Sequence, residues 1–300
     1  MRITRARALA LAWATTALAA CGGASGDADG KHRVAVGSKD FTEELILGEM
    51  YARILEHNGF SVDRKLDLGG TQVAMAALQR GDIDLYPEYT GTALLTQLKA
   101  KPSQDAAANY ATVKRYYAAH YGLDWLDAAP FNDTQALATT QAIAQQYHLR
   151  TLSDLSVAAP QLRLGAIPEF VKRADALPGL RKAYGGFQFK DIKLFDIGLK
   201  YKALESGDVD VVVAFGTDGQ IEVDKLVVFV DDKHFWPSYQ VAPVVRAQTL
   251  ATSPAIATYL NKLAPLLTDA VMRGLNAQVD GAKKDPKDVA AQFLQAHGLA

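Results

Sequence analysis

One pattern in this chain occurs twice at a fixed distance, and it limits the possible folds more than any other feature. Gly81-Asp82-Ile83-Asp84-Leu85-Tyr86-Pro87-Glu88-Tyr89-Thr90 returns 126 residues later as Gly207-Asp208-Val209-Asp210-Val211-Val212-Val213-Ala214-Phe215-Gly216. Each copy reads as a helix ending at a glycine, the residue that adopts the left-handed conformation past a helix C-terminus. An acidic turn and a short apolar strand follow, and the strand ends in an aromatic residue. In open α/β sheets ligands gather outside the carboxyl ends of the strands. Two copies therefore predict two similar α/β lobes, each directing one aromatic ring, Tyr89 or Phe215, at a shared cleft.

The length of 300 residues accommodates two medium domains. The net charge of −1 gives no basic face for nucleic acid, so no nucleic-acid partner is expected. The N-terminus carries Arg2, Arg5 and Arg7, then an apolar or small run from Ala8 to Ala20. That run is too short to span a bilayer and has the form of a secretory signal over residues 1–20. It leads into Leu18-Ala19-Ala20-Cys21, which resembles a lipoprotein lipobox, and Cys21 is the sole cysteine. Lipidation at Cys21 is expected, and no intrachain disulfide can form. Residues 21–30, rich in glycine, read as a flexible tether, and the folded body starts near Lys31. No later run is long and apolar enough to predict a membrane-spanning helix.

Along the body, Arg33 to Val36 reads as a strand running into Gly37-Ser38-Lys39-Asp40. Asp40 is expected to cap the next helix, with Glu43 completing a capping box and Leu45, Met50 and Ile54 forming its apolar side. Asn58-Gly59 ends that helix, a strand spans about 61–68, and Gly69-Gly70-Thr71 and Thr90-Gly91-Thr92 open two further helices. Such helix N-termini offer unpaired N–H groups to anions. Tyr110, Tyr116, Tyr117 and Tyr121 are spaced for helix packing. In the second half, a helix begins after Thr151 and strands are expected near 162–164, 192–195 and 226–230. Pro178-Gly179 precedes a short helix, and the segment 236–245 leads back to the first lobe. Asp285-Pro286 starts the last helix and Gly298 ends it.

Catalytic fingerprints are missing. There is no G-x-S-x-G, H-E-x-x-H, P-loop or dinucleotide motif, and the six histidines lack zinc-ligand spacing. Ser38-Lys39 makes a poor nucleophile pair, because adjacent residues on an extended turn point apart. No enzyme activity, metal or cofactor is expected.

Three segments carry a family resemblance: Val36-Gly37-Ser38-Lys39-Asp40-Phe41-Thr42-Glu43, Leu68-Gly69-Gly70-Thr71 and Tyr86-Pro87-Glu88-Tyr89-Thr90-Gly91-Thr92. They resemble the substrate-binding proteins of bacterial ABC importers for glycine betaine, choline and related quaternary amines. The resemblance implies the two-lobed periplasmic-binding-protein fold of type II kind, with hinge-connected lobes. Lobe I would comprise residues 31–132 and 238–300, and lobe II residues 133–237. It further implies a monomeric lipoprotein outside the cytoplasm, held to the membrane through Cys21 and serving a permease and an ATPase. A sensor using the same clamp is the alternative.

Family ligands join a trimethylammonium head, held in an aromatic cage, to a carboxylate or hydroxyl tail. By position, Lys39, Thr92 and Arg173 match the groups that hold the tail, and arginine can bind a carboxylate through two parallel hydrogen bonds. Tyr89 and Tyr239 match cage tyrosines. Phe215 stands at a position usually tyrosine, as does Gln135, where an amide replaces an aromatic wall. Asp133 falls beside the cage and could face the cation. The expected ligand is a quaternary-amine carboxylate, either similar to glycine betaine or a larger betaine. Choline, carnitine and ergothioneine are the alternatives.

Overall fold

The computed structural model describes residues 33–300. Cys21, the signal segment 1–20 and the tether 21–30 lie outside the described residues. Ten strands form two five-stranded sheets. The first contains β1 (Arg33–Gly37), β2 (Ser61–Lys65), β3 (Leu85–Tyr89), β4 (Leu123–Trp125) and β10 (Val241–Arg246), in the order β2-β1-β3-β10-β4. The second contains β5 (Gln135–Thr139), β6 (Arg163–Ala166), β7 (Asp191–Leu194), β8 (Val211–Phe215) and β9 (Val227–Val228), in the order β7-β6-β8-β5-β9. In each sheet three parallel strands are followed by two antiparallel pairings, β3-β10-β4 in one and β8-β5-β9 in the other.

The repeated stretch occupies equivalent places in the two sheets. Gly81 and Gly207 both take the left-handed conformation, with φ of +81° and +74°. The second aspartate of each copy then ties its strand to the neighbour. Asp84 Oδ2 accepts from the Ala35 amide at 2.8 Å while its own amide donates to the Ala35 carbonyl. Asp210 Oδ2 accepts from the Arg163 amide at 2.8 Å, and its amide donates to the Arg163 carbonyl. This satisfies strand-end backbone groups that would otherwise lie unpaired where the parallel pairing begins. It gives a physical reason for Gly-Asp-x-Asp in both halves.

The chain crosses between the sheets after β4 and again before β10. The two crossings bond to each other: the Asp133 amide donates to Tyr239 O at 3.2 Å, and the Tyr239 amide to Asn132 Oδ1 at 2.7 Å.

Helix α1 (Thr42–His57) lies under the first sheet and is enclosed by β2 and by the helices Ala255–Leu260, Asp269–Asp280 and Pro286–Ala296. This enclosure overturns two expectations. The helix is buried on more than one side: Met50 and Ile54 are buried as expected, but so are Ile46, Leu47 and Leu55, while Leu45 is half-buried. Asp40 is not its cap. Phe41 takes that position without a side-chain bond, and Glu43 turns inward instead of completing a box. Three shorter differences have local causes. Strand β2 stops at Lys65, before the left-handed residue Asp67. Pro178 and Gly179 lie within the helix Leu177–Tyr184, where a first-turn proline has no helical N–H to lose. Strand β9 is only Val227–Val228, since Val230 bridges to Thr151 and leaves the ladder. The helix Leu152–Ala158 begins with a full capping box on Thr151, and Asp285 caps the final helix. The tyrosines of the helix Ala106–Tyr121 pack as expected, Tyr117 standing edge-on to Trp125 at 5.3 Å.

Candidate functional site

All six parallel strands, β1 to β3 and β6 to β8, direct their carboxyl ends at one cavity of about 530 Å³. The chain beyond those ends supplies its walls. Lys39, Asp40 and Phe41 follow β1, Asp67 follows β2, and Tyr89 closes β3. From the other sheet come the 167–173 loop after β6, the 195–198 loop after β7, and Phe215 at the end of β8. Each of Lys39, Tyr89, Thr92, Asp133, Gln135, Arg173, Phe215 and Tyr239 lines this cavity. The register fixes two of them as neighbours: Gln135, the first residue of β5, pairs directly with Phe215.

Phe41, not singled out in the sequence, completes the aromatic wall. Its ring centroid lies 6.1 Å from that of Tyr89 and 6.4 Å from that of Phe215, nearly parallel to the latter at 13°. It therefore joins an aromatic residue of one sheet to that of the other. The signal was its place two residues beyond Lys39, hidden because Phe41 read as the first residue of an ordinary helix. Tyr239 reaches the cavity from the second crossing. Its ring passes so close to Gly91 that a Cβ there would lie 2.7 Å from it, which is why only glycine fits.

The basic residues are not free. Lys39 is 4% exposed, and its ammonium binds Glu88 Oε1 at 2.8 Å and stands 3.6 Å from Glu44. It also lies 4.7 Å from the Tyr89 ring centroid. Burial pulls the Lys39 pKa down, but the attraction of Glu88 and Glu44 outweighs it, and the net shift is upward. Arg173 forks onto Asp175, its Nε donating to Oδ1 at 2.8 Å and its Nη2 to Oδ2, and Nη1 is 3.5 Å from Glu169. The two-bond geometry expected for a ligand carboxylate is thus used by a carboxylate of the chain.

Asp175, missed in the sequence, gathers this side of the site. It is 3% exposed, and its Oδ2 accepts from Gln135 Nε2 at 2.7 Å and from the Tyr239 hydroxyl at 2.8 Å. Its backbone carbonyl accepts from Trp236 Nε1 at 2.7 Å. Gln135 is therefore anchored through its NH2 group, and Oε1 retains acceptor capacity. The only trace in the sequence was an acid two places after Arg173, a spacing too common to single out.

Carboxylates outnumber cations around the cavity. Asp40, Asp67, Asp133, Glu169 and Asp196 line it beside only Lys39 and Arg173, each already paired with a further acid. Burial, with Glu169 and Asp67 adding repulsion, raises the Asp40 pKa. Glu44 is pushed up to about 8 by burial, which prevails over the pull of Lys39. Such a site favours a positively charged group over a net anion. Among the described residues no cluster suits a metal ion, and no helix is long and apolar enough to cross a membrane.

Comparison with known proteins gives the chain a family. Residues 32–296 match the family described as the substrate binding domain of ABC-type glycine betaine transport systems. An ergothioneine transport permease/ergothioneine binding protein of Helicobacter pylori is 39% identical over 265 residues, 88% of this chain. The chain spans about half of that relative, 47% of its length. A glycine-betaine-binding protein of Pseudomonas aeruginosa is 38% identical, with 88% of each chain covered. A crystal structure of a glycine betaine/carnitine/choline ABC transporter protein superposes with a TM-score of 0.73 at 31% identity, covering 89% of this chain and 99% of the other. With its two sheets converging on one cleft, this chain belongs to the family of substrate-binding domains of ABC-type glycine betaine transport systems.

Proposed function

We propose that the chain captures a betaine, a quaternary ammonium joined to a carboxylate, outside the cytoplasm and delivers it to an ABC permease driven by its ATPase. One observation carries the ligand assignment. Tyr89, Phe41 and Phe215 form a continuous aromatic wall over a cavity whose acids exceed its cations. A quaternary ammonium has no N–H to donate, so it is recognised through aromatic faces and diffuse negative charge. Tyr239 and Asp133 complete the enclosure around the head. Lys39 pairs with Glu88 behind the wall, with Glu44 beside it, and takes part in the site mainly through that pairing. The Nη1 contact of Arg173 with Glu169 is its loosest, at 3.5 Å. A ligand carboxylate that displaces Glu169 takes that edge, and Thr92 lines the same cavity.

The lobes on this reading are residues 31–132 with 238–300, and residues 133–237. They hinge at the paired crossings near Asp133 and Tyr239 and close on the ligand. A lipid on Cys21 tethers a monomer to the membrane.

A larger betaine is the second reading. Gln135 puts an amide where a further ring would close the cage, and its Oε1 is suited to a ligand donor. The H. pylori relative is named for ergothioneine, whose imidazole-thione ring offers such a group. Calorimetric titration of the chain from Gly22 with glycine betaine, proline betaine, choline, carnitine and ergothioneine tests both readings. Selective binding of a quaternary amine supports the function, and preference for ergothioneine or carnitine supports the second reading. Binding of none overturns it.

A further inference from the structure

Glu43, Thr217 and Asp133 form a chain of oxygens with one proton too few. Thr217 Oγ1 lies 2.6 Å from Glu43 Oε2 and 2.7 Å from Asp133 Oδ1. A hydroxyl has one proton to donate. It can serve one carboxylate, so the other close contact requires a carboxyl group that donates to the hydroxyl oxygen. Glu43 already accepts from the Tyr89 hydroxyl at 2.7 Å and from Asn276 Nδ2 at 2.9 Å, which suits the ionised form. Asp133 receives in addition only the Thr217 amide, at 3.3 Å. The extra proton therefore belongs on Asp133, running Asp133 to Thr217 to Glu43.

The surroundings supply no competing cation. Asp133 and Glu43 are both buried. On α1, Glu44 follows Glu43, and from the turn after β8 Asp218 faces the pair. Lys200 is committed to Asp218 at 3.3 Å and Lys39 to Glu88. The helix Asp269–Asp280 presents Asn276, with Asp280 bonded to Thr42 and Arg273 Nε donating to the Gly216 carbonyl. Tyr89 of β3 donates to Glu43. Among the described residues no lysine or arginine forms an ion pair with Glu43 or Asp133. Burial first, then the neighbouring Glu43 and Asp218, raises Asp133 well above the usual carboxylate range. Burial likewise brings Glu43 up to about 7 against its three hydrogen bonds.

The chain also ties the lobes together. Glu43 and Asn276 belong with the first sheet, Thr217 follows β8 of the second, and Asp133 lies at a crossing and lines the cavity. We propose that the ligand-free site binds a proton on Asp133, and that a quaternary ammonium docking against Asp133 expels it. The O–H bond breaks, the electron pair stays on the carboxylate, and the proton leaves to solvent. Cation and proton compete for one buried negative charge, so capture is an exchange. The inference rests on the betaine reading for its ligand but not for the held proton.

Two measurements test it on the chain from Gly22. The first is the infrared spectrum of ligand-free protein at pH 7. Glu44, pushed up to about 8, contributes a protonated-carboxyl band of its own, so the readout is the difference between wild type and Asp133→Asn. The expected result is the loss of one carboxyl's intensity in the variant; equal protonated-carboxyl intensity in the two proteins overturns the proposal. The second is calorimetry with glycine betaine in phosphate and in Tris at the same pH. On the order of one proton should be released per ligand bound, with affinity rising up to about tenfold per pH unit while the site is protonated. Binding with no proton release overturns the exchange. If no quaternary amine binds, the function reading and the exchange both fall, and the infrared difference alone decides whether the proton is held.

Discussion

Arg173 and Asp175 lie two residues apart in one loop, and the guanidinium of the first forks onto the carboxylate of the second. Asp175 thereby holds Arg173, Gln135 and Tyr239 in one arrangement. Replacing it with alanine strands a largely buried guanidinium and releases two wall residues together. Removing one partner of a buried pair costs about 3–5 kcal/mol. Urea unfolding of Asp175→Ala should show a loss of about 3 kcal/mol, and calorimetry a large loss of ligand affinity. Wild-type stability in that variant would mean that solvent, not Asp175, satisfies Arg173.

Phe41 connects the aromatic ends of the two repeated stretches. Phe41→Ala should weaken quaternary-amine binding by about 1 kcal/mol, roughly five-fold, through loss of one cation–π wall. Phe41→Trp should retain or improve affinity, since the indole face is the strongest of the three for a cation. Equal affinities of wild type and Phe41→Ala would remove this ring from the site.

Much of this architecture could be read from the sequence, because the relevant signals are local and periodic. The two Gly-Asp-x-Asp stretches announce left-handed glycines followed by strands, and both strands point an aromatic residue at the cavity. All eight residues expected at the site line it. What they do there was less legible, because partnership is set by distance in space. That Lys39 is matched by Glu88 depends on β1 and β3 lying side by side. That Arg173 is matched by Asp175 depends on a loop conformation that no periodicity encodes. The misread cap on Asp40 has the same origin: the local pattern fits a capping box, but burial draws Glu43 toward Tyr89, Thr217 and Asn276.

Gly91 lies in the first turn of the helix Thr90–Ala93, directly beneath Tyr239. A methyl group there would meet the ring at 2.7 Å and force it off Asp175. Gly91→Ala should cost about 1–3 kcal/mol by overpacking, with ligand affinity falling as Tyr239 moves. Thermal unfolding and calorimetry on the same sample separate the two effects. A variant with native affinity would show that the ring relaxes without leaving the cavity.

Buried acids give the ligand-free protein an uncommon dependence on pH. Glu43 and Glu44 titrate at about 7 and about 8 in the folded chain, raised from 4.5 by burial. A carboxyl group whose pKa is raised by folding favours the folded state when protonated. That contribution is complete below the unfolded value and is lost as pH rises through the folded one. Stability from these two groups should therefore decline as pH rises from about 5 to about 8. Salt-bridged surface acids work the opposite way. Asp210, whose pKa is lowered by its hydrogen bonds with Arg163, contributes above the unfolded carboxylate range and loses its contribution in acid. Melting temperatures at intervals from pH 4 to pH 9 separate the two trends. Glu44→Gln cannot ionise, so its decline on the alkaline side should be shallower than that of the wild type. An unchanged alkaline slope in that variant would show that Lys39 keeps Glu44 ionised throughout, and that the decline arises elsewhere.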